Sequence, residues 1–363
     1  QANGDYYLSR KTPKIYRKVY SIQDLAKHVN NIPELFRHND ILDVTRLHNI
    51  SSCDITVSTN INKEKEFFLS VFSPKRWVPV ALSSSQTFHN IGAGNRYNVD
   101  RNKEAIDLGD GIVYLPTHWV NEEAIPIGSP IIVSEDSVRE IKPDSKHLER
   151  VVCKRKFPLN MRIVDFSKLM IMGVFEGANK ADFSDATELY KITKTPESKM
   201  QKIEISAEKS YRYIRYRKPK GTFSIAEFCL YQSDEKLLPF HPIACDAIYE
   251  DSTMLNIFDG QPLTYYQVSG GIDLWVGMDL YKPVKISKIG FAPRNDDNAI
   301  VSTDTYELFY WQDQWISLGR KRPIGDSVVY DNVPQKALLW LRNLTKGREE
   351  RPFTYENGKQ IWW

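Results

Sequence analysis

The chain of 363 residues is long enough for two or three domains that each bury a core. It is 41% hydrophobic and 26% charged, the balance of an ordinary globular protein, and its 12% of aromatic residues suits strand-rich folds and stacking surfaces. A net charge of +3 is too small to indicate a nucleic-acid partner, and no apolar run approaches the roughly 20 residues of a transmembrane segment.

Residues 1–38 are predicted to be a basic lead-in segment with one short helix. The helix is predicted in "SIQDLAKHVNN", where Ser21 can cap the first turn. Asp24 stands three residues later, where an acidic side chain can reach back to the cap. Pro33 limits the length of this helix, and the rest of the sequence carries few helix signals.

Residues 39–150 are predicted to form an N-terminal β-sandwich. The segments "CDITVST", "EFFLSVFS", "WVPVALS", "GIVYLPTHWV" and "SPIIVSE" recur at intervals of roughly a dozen residues or more, with turn-forming residues between them. Because no helices intervene, this spacing favours an antiparallel sandwich over a parallel sheet with crossover helices.

Two further β-domains are predicted, in residues 151–236 and residues 237–363. Charge rises and apolar alternation pauses in "REIKPDSKHLERVVCKRKFPLN", where the first of them begins. In "LWVGMDL" apolar residues alternate with others, which indicates a strand with one buried face. The residues of that face are Leu274, Val276, Met278 and Leu280. The predicted fold is therefore mainly β, with tandem antiparallel β-sandwiches and one short N-terminal helix.

The sequence contains no recognisable catalytic motif. G-x-S-x-G, H-E-x-x-H and P-loop patterns are absent, and the seven histidines are spread singly. The four cysteines lack C-x-x-C spacing, so we expect free thiols, with one disulfide left open. We expect no catalysis; a glycoside hydrolase is the lesser alternative, since that chemistry needs two carboxylates that face each other across a sugar.

Four ordered motifs in the C-terminal part resemble one family. They are "FDGQPLTYY", "WVGMDLYKP", "APRND" and "YELFYWQDQWISLG". With them, residues 237–363 resemble a discoidin domain, also called a coagulation factor 5/8 type C domain, which has a galactose-binding-like jelly-roll fold. The segment "RYIRYRKPKGTFSIAEF" is similar to the end of the same domain type. The whole layout resembles the C-terminal modules of exported transglutaminase-like proteins of gut Gram-negative anaerobes, whose catalytic core has no counterpart in this chain.

This resemblance implies a metal site and a location. Many relatives build a structural calcium site around the Asp-Gly turn, which implies Asp259 as a carboxylate ligand and Thr264 as an oxygen ligand or as a hydrogen-bonding residue of the turn. Glu350, or Glu349 beside it, would close the site from the last strand. The alternative, in which Asp259 only caps its own turn, is equally open. The resemblance further implies export to the periplasm or the cell surface, with anchoring through a removed N-terminal signal.

The loop "PRNDDN" is the best candidate for ligand contact, because the resemblance implies that loops at one end of the sandwich hold ligands. Its polar side chains suit sugar hydroxyls, although asparagine and aspartate are also common turn residues. Aromatic rings elsewhere could stack on a sugar, and at least one of the two tryptophans is expected in the core. The candidate ligand residues are Arg294, Asn295, Asp296, Asp297, Tyr265, Trp311 and Trp315.

We therefore expect a non-catalytic, lectin-like protein that binds carbohydrate for glycan capture or attachment to a surface. The alternative is a structural or protein-binding scaffold module of a larger exported protein, in which the sandwiches only space or dock a partner. Apart from a structural calcium ion, no cofactor is expected.

Overall fold

The computed structural model describes the backbone of residues 6–8 and 15–17, and then residues 52–59, 66–73, 76–93, 105–121, 123–206, 209–234, 236–249, 251–346 and 351–363. Of the described residues, strands account for 55% and helices for 7%. The ladders between these strands are antiparallel, which confirms the predicted mainly β, antiparallel class. The predicted N-terminal helix lies outside the described residues.

Short strands dominate the chain up to residue 160. They are β1 (Tyr6–Leu8), β2 (Ile15–Arg17), β3 (Ser52–Thr56), β4 (Phe67–Ser73), β5 (Arg76–Ser83), β6 (Thr87–Gly92), β7 (Ala105–Ile106), β8 (Gly111–Val120), β9 (Glu123–Pro126), β10 (Ile131–Ser134), β11 (Val138–Glu140), β12 (Asp144–Cys153) and β13 (Leu159–Asn160). β4, β5 and β8 to β11 form one sheet, and β3 pairs separately with β6. Ile55, Leu69 and Phe88 from both sheets share one core, as in a sandwich.

The central strand β8 is buried on both of its faces. Ile112 and Tyr114 pack in the core with β3 and β6, whereas Val113 and Leu115 pack in a second cluster on the other side. Successive side chains of a strand point to opposite faces, so a sheet covered on both sides needs a continuous apolar run instead of alternation. The sequence "GIVYLP" has this pattern.

The middle of the chain contains the helices of the described residues and ten more strands. These elements are α1 (Met161–Lys168), β14 (Val174–Ala178), β15 (Thr187–Lys191), β16 (Gln201–Glu204), β17 (Tyr211–Lys220), β18 (Phe223–Ile225), β19 (Glu227–Tyr231), β20 (His241–Ala244), α2 (Asp246–Tyr249), a 3₁₀ helix (Ser252–Phe258), β21 (Tyr266–Val268), β22 (Ile272–Val284) and β23 (Lys288–Ala292). One sheet has the order β15-β14-β17-β22-β20 and another the order β16-β23-β19, while β18 pairs with β21. Phe175, Tyr216 and Phe291 lie in the core that these sheets share.

The predicted alternation in β22 is confirmed. The apolar set of that strand is buried in this core: Leu274, Val276, Met278 and Leu280. Trp275 and Asp279, which point to the other face, are only half-buried. Alternation is therefore a reliable signal where a sheet has one face on the core and one face outside it.

The last strands form a second sandwich with β12. They are β24 (Tyr306–Gln312), β25 (Gln314–Lys321), β26 (Val328–Gln335), β27 (Leu339–Asn343), β28 (Pro352–Glu356) and β29 (Lys359–Trp362). β24, β25 and β27 to β29 form one sheet, and β26 pairs with β12. The core of this sandwich includes Val151, Tyr306 and Phe353.

The two sandwiches built from these outer parts of the chain share an aromatic cluster, which we call the tryptophan cluster. Its rings are Phe72, Trp77, Trp311, Trp315 and Trp340. The ring centroids of neighbouring members lie 4.9–5.4 Å apart in edge-on or tilted pairs, a range that favours aromatic packing. This cluster occupies the second face of β8.

The contacts divide the chain into two compact units. The first consists of Gln1–Leu159 together with Ile300–Trp363, and the second is Asn160–Ala299. The predicted boundary between residues 236 and 237 falls inside the second unit, where β17 pairs with β22 along most of its length. The segment predicted as one domain over residues 237–363 is likewise divided at residue 300, because its last strands pair and pack with the N-terminal part.

Truncation of Trp340 tests the tryptophan cluster. Trp340 is only 4% exposed and contacts Phe72, Phe309 and Trp315. We expect Trp340→Ala to lower the free energy of unfolding of the first unit by about 3–5 kcal/mol, measured by chemical denaturation. Ile324→Ala is the control, since Ile324 is 98% exposed and should change stability by about 0.5 kcal/mol or less. Equal effects of the two changes would contradict this packing.

Tyr281 adopts a left-handed backbone conformation that is costly for a bulky residue. Its φ is 65°, its backbone N–H donates to Asp279 Oδ1 at 2.8 Å, and its side chain is 61% exposed. We expect Tyr281→Gly to raise the free energy of unfolding by about 1 kcal/mol, because glycine tolerates this conformation. Tyr281→Ala keeps the strain and should not stabilise the protein. A loss of stability in both variants would show that the ring contributes packing instead.

Candidate functional site

The turn at the end of the 3₁₀ helix brings several oxygen atoms together. Asp259 Oδ1 accepts the backbone N–H of Gln261 at 2.8 Å, so Asp259 does cap its own turn. The Thr264 hydroxyl lies 2.9 Å from each oxygen of the same carboxylate and 2.8 Å from the Gln261 carbonyl. The Asn256 carbonyl is also near, at 3.4 Å. Gly260, with φ of 72°, allows this tight reversal.

A second carboxylate, that of Glu227 on β19, joins this turn. Its side chain is 3% exposed and lies close enough to the Asp259 carboxylate for that group to act on its pKa. Burial, the largest cause, and the nearby Asp259 carboxylate, the second, raise the pKa of Glu227 to about 8. The backbone N–H groups of Gly260 and Gln261 act in the opposite direction, because they favour the charged form of Glu227. Its Oε1 has no hydrogen-bond partner in the structure. We call Glu227, Asp259, Thr264 and the carbonyls of Asn256 and Gln261 the oxygen cluster.

The sequence analysis missed Glu227 and assigned its role to Glu350, which lies outside the described residues. A signal for Glu227 was present, because it is the single charge in the apolar run "FSIAEFCL" of β18 and β19. A carboxylate is almost never fully buried unless it has a partner. The partner, Asp259, is brought near Glu227 by the pairing of β18 with β21, which places Ile225 opposite Tyr266, and that register cannot be read from the sequence.

The oxygen cluster has the donor chemistry of a hard-cation site. Calcium binds carboxylates, hydroxyls and backbone carbonyls, and the unpartnered Glu227 Oε1 fits such a role. Within the part of the chain that the structure describes, no group of three or more His, Cys, Asp or Glu side chains could hold a metal ion. A cation here would therefore depend on the carbonyls and on Thr264. The four cysteines are free thiols.

Arg294 forms a second cluster in the same unit. Its guanidinium carbon lies 3.8 Å from the ring centroid of Phe166 and 3.9 Å from that of Tyr265, so the cation is held between two aromatic rings. Arg294 Nη1 donates to Gln267 Oε1 at 3.4 Å, and the buried Ser224 hydroxyl lies 3.2 Å from the same oxygen. We call Arg294, Phe166, Tyr265, Gln267 and Ser224 the arginine clamp.

Arg294 differs from the arginines of β17 in having no carboxylate partner. Arg215 and Arg217 pair with Glu176 at 2.7 and 3.1 Å. Arg212 binds Asp279 through two hydrogen bonds of 2.9 Å each. Among the described residues, no Asp or Glu forms an ion pair with Arg294, and its side chain is half-buried. The clamp therefore presents a fixed positive charge that no carboxylate among the described residues neutralises.

The other predicted contacts of the "PRNDDN" loop are engaged in the loop itself. Asn295 Nδ2 donates to the Pro293 carbonyl at 2.8 Å, and the Asp297 N–H donates to Asn295 Oδ1 at 2.9 Å. The Asn298 N–H donates to Asp296 Oδ1 at 3.2 Å. Asn295 and Asp297 are only 7% and 6% exposed. The side chains of Asn295 and Asp296 and the backbone N–H of Asp297 make turn hydrogen bonds, and of the four candidates in the loop Arg294 alone belongs to the clamp.

Trp311 and Trp315 belong to the tryptophan cluster of the first unit. Trp311 is 5% exposed, so it is the core tryptophan that the sequence analysis expected. Trp315 is half-buried, and its ring lies nearly parallel to that of Trp77, with 6.4 Å between centroids. Both rings are already used in packing, so neither is placed as a free platform for a sugar.

Comparison with known proteins identifies no relative. No family model matches the sequence, and no curated protein and no solved structure matches it. Among the residues described above, no helix is long and apolar enough to span a membrane.

The raised pKa of Glu227 predicts a pH-dependent stability. The folded state keeps a proton on Glu227 up to about pH 8, whereas the unfolded state releases it near the ordinary value of 4.5. The stabilisation is therefore complete below about pH 4.5 and is lost as pH rises through about 8. Without divalent cations, we expect the melting temperature to fall between those values by roughly 5 °C or more relative to Glu227→Gln, which cannot titrate.

Calcium provides the second arm of this test. The charged carboxylate is the form that coordinates a cation, so excess calcium should raise the melting temperature of the wild type most at high pH. Calcium should raise the melting temperature of Glu227→Gln less than that of the wild type. The same pH slope in both proteins would contradict the buried, protonated glutamate, and an unchanged melting temperature with calcium would leave the oxygen cluster as a turn cap.

Proposed function

We propose that the protein is a non-catalytic, lectin-like protein whose second unit binds carbohydrate at the arginine clamp. The observation that carries this proposal is the guanidinium of Arg294, held between Phe166 and Tyr265 and without an ion-pair partner among the described residues. Sugar sites combine an aromatic surface for the C–H face with a few fixed polar groups for the oxygens. The clamp offers the fixed polar group, and each of its two half-buried rings has one face against Arg294, so only their remaining exposed surface could contact a sugar.

The resemblance to discoidin domains agrees with this proposal and is part of it. Such domains are antiparallel β-sandwiches, and the second unit has two larger antiparallel sheets and the β18–β21 pair around one core. Tyr265 follows the Asp-Gly turn of the oxygen cluster directly, so a structural calcium ion there would support the turn from which the ring projects. Export, and a role in glycan capture or surface attachment, follow from the same proposal.

A catalytic role finds less support in the geometry. The described carboxylate pair, Glu227 with Asp259, is the obvious candidate for acid–base chemistry on a sugar. Glu227 is 3% exposed, and Asp259 is bonded to Thr264 and to the backbone of its own turn. A substrate oxygen would have to displace the hydrogen bonds of Asp259 before it could reach the two carboxylates. The pair suits a structural cation better than a hydrolytic reaction.

Variants at Arg294 test the proposal. On an array of diverse glycans, we expect the intact chain to bind one sugar class, and Arg294→Gln to weaken that binding at least about tenfold, since a charged hydrogen bond contributes about 1.5–3 kcal/mol. Arg150→Gln is the matched control: Arg150 is a well-exposed arginine of the first unit with a single ion pair of 3.7 Å. Melting temperatures of both variants confirm folding.

The rival hypothesis predicts a different result. If the protein is a structural or protein-binding scaffold, the wild type should bind no glycan on the array, with or without calcium. Equal weakening by Arg294→Gln and Arg150→Gln would also contradict a sugar site at the clamp.

A further inference from the structure

We propose that the arginine clamp selects acidic sugars, binding the carboxylate of a uronic or sialic acid through Arg294 and Gln267. This inference rests on the proposed function and names the ligand class of that site. The hydrogen-bonding groups that the clamp leaves for a ligand, and the charge around them, favour this class.

The clamp has unused donors on Arg294. A guanidinium has five N–H groups in a planar fork, and the only acceptor for them among the described residues is Gln267 Oε1, at 3.4 Å. Phe166 and Tyr265 lie over the guanidinium at 3.8 and 3.9 Å and fix its plane. A ligand therefore meets a pre-organised fork, and little conformational entropy is lost when that fork is used.

The clamp has few acceptors: the hydroxyl oxygens of Tyr265 and Ser224, and Gln267 Oε1. Gln267 Oε1 is occupied by Arg294 and by the Ser224 hydroxyl, which lies 3.2 Å away. The amide nitrogen of Gln267 has no acceptor within the described part of the chain, so it adds two further donors. Sugar hydroxyls both donate and accept, whereas a carboxylate only accepts. A cluster that offers mainly donors matches a carboxylate better than a hydroxyl.

Charge favours the same ligand. The fold pairs its other strongly placed arginines in this unit with carboxylates, as in Arg215 with Glu176 and Arg212 with Asp279. Arg294 has no such partner among the described residues, and the neighbouring Asp296 carboxylate accepts the Asn298 N–H. A carboxylate ligand would complete at Arg294 the kind of forked pair that Arg212 already forms within the protein.

Matched ligands test this inference. Titration calorimetry of the intact chain would compare trigalacturonic acid with its methyl ester, and sialyllactose with its methyl ester, because each pair differs chiefly in the negative charge. We expect at least one acid to bind at least tenfold more tightly than its neutral partner, with a preference that decreases as salt is added. Arg294→Gln should abolish the preference, and Arg294→Lys should reduce it, since lysine keeps the charge but lacks the planar fork.

The outcomes separate this inference from the proposed function. Tighter binding of the neutral sugars, still weakened by Arg294→Gln, would overturn the acidic preference and leave the sugar site in place. No binding of any of the four sugars, together with a blank glycan array, would overturn both. An acidic peptide such as tetraglutamate that binds as tightly as the acidic sugar would show that the clamp recognises protein carboxylates, and would overturn the sugar assignment. Arg150→Gln should retain the wild-type preference.

Discussion

The long-range pairing of β17 with β22 is the constraint on which the candidate site depends. It joins Lys218 to Leu274 and Ile214 to Met278, so the segment between the two strands must leave the sheet and return to it. The two ends of this segment are joined by a hydrogen bond from the Gly221 N–H to the Gly271 carbonyl. Within it, β18 pairs with β21, while β19 pairs with β23 beyond β22. These pairings bring Ser224, Glu227, the Asp-Gly turn, Gln267 and Arg294 into two neighbouring clusters.

The buried charges of the second unit fall into two groups, those with ion-pair partners and those without such partners among the described residues. Glu176, which is 8% exposed, is balanced by Arg215 and Arg217, and Arg217 also pairs with Asp273. In such a complete network, the paired charges offset one another's desolvation cost within the protein, and few hydrogen-bonding groups remain for a ligand. In the part of the chain that the structure describes, Glu227 lies near another carboxylate and has an unpartnered oxygen, and Arg294 contacts two rings but no anion. Incomplete clusters of this kind are where a functional hypothesis has a physical basis.

The sequence predicts the fold class well because that class depends on local pattern. Alternation in "LWVGMDL" and short strands separated by turn formers identify antiparallel sheets without any knowledge of partners. The domain boundary at residues 236 and 237 could not be placed in the same way, because β17 and β22 on either side of it belong to one sheet. The motifs near Trp311 suggested a single C-terminal domain, yet Trp311 packs with Trp77, more than two hundred residues earlier in the chain.

The candidate site was predictable only where its residues are close in sequence. Asp259 and Thr264 lie five positions apart, and the structure confirms that they bond to each other. Glu227 was missed because its position beside that turn depends on the register of β18 against β21 and on the contact of Phe228 with Phe258. Arg294 and Tyr265 were both candidates, but Phe166, on a helix far earlier in the chain, was not, although its ring forms half of the clamp.

The two clusters are linked by a single peptide bond, and this connection explains why a turn and a ring occur together in "FDGQPLTYY". Thr264 belongs to the oxygen cluster and Tyr265 to the arginine clamp. The Tyr265 carbonyl accepts a hydrogen bond from Asn256 Nδ2 at 3.3 Å, and the Asn256 carbonyl is one of the oxygens around Thr264. Whatever fixes the turn therefore also fixes the backbone of Tyr265, and with it the ring that covers Arg294. A rigid ring over a fixed guanidinium is a preorganised surface, and preorganisation is what allows so small a set of contacts to bind selectively.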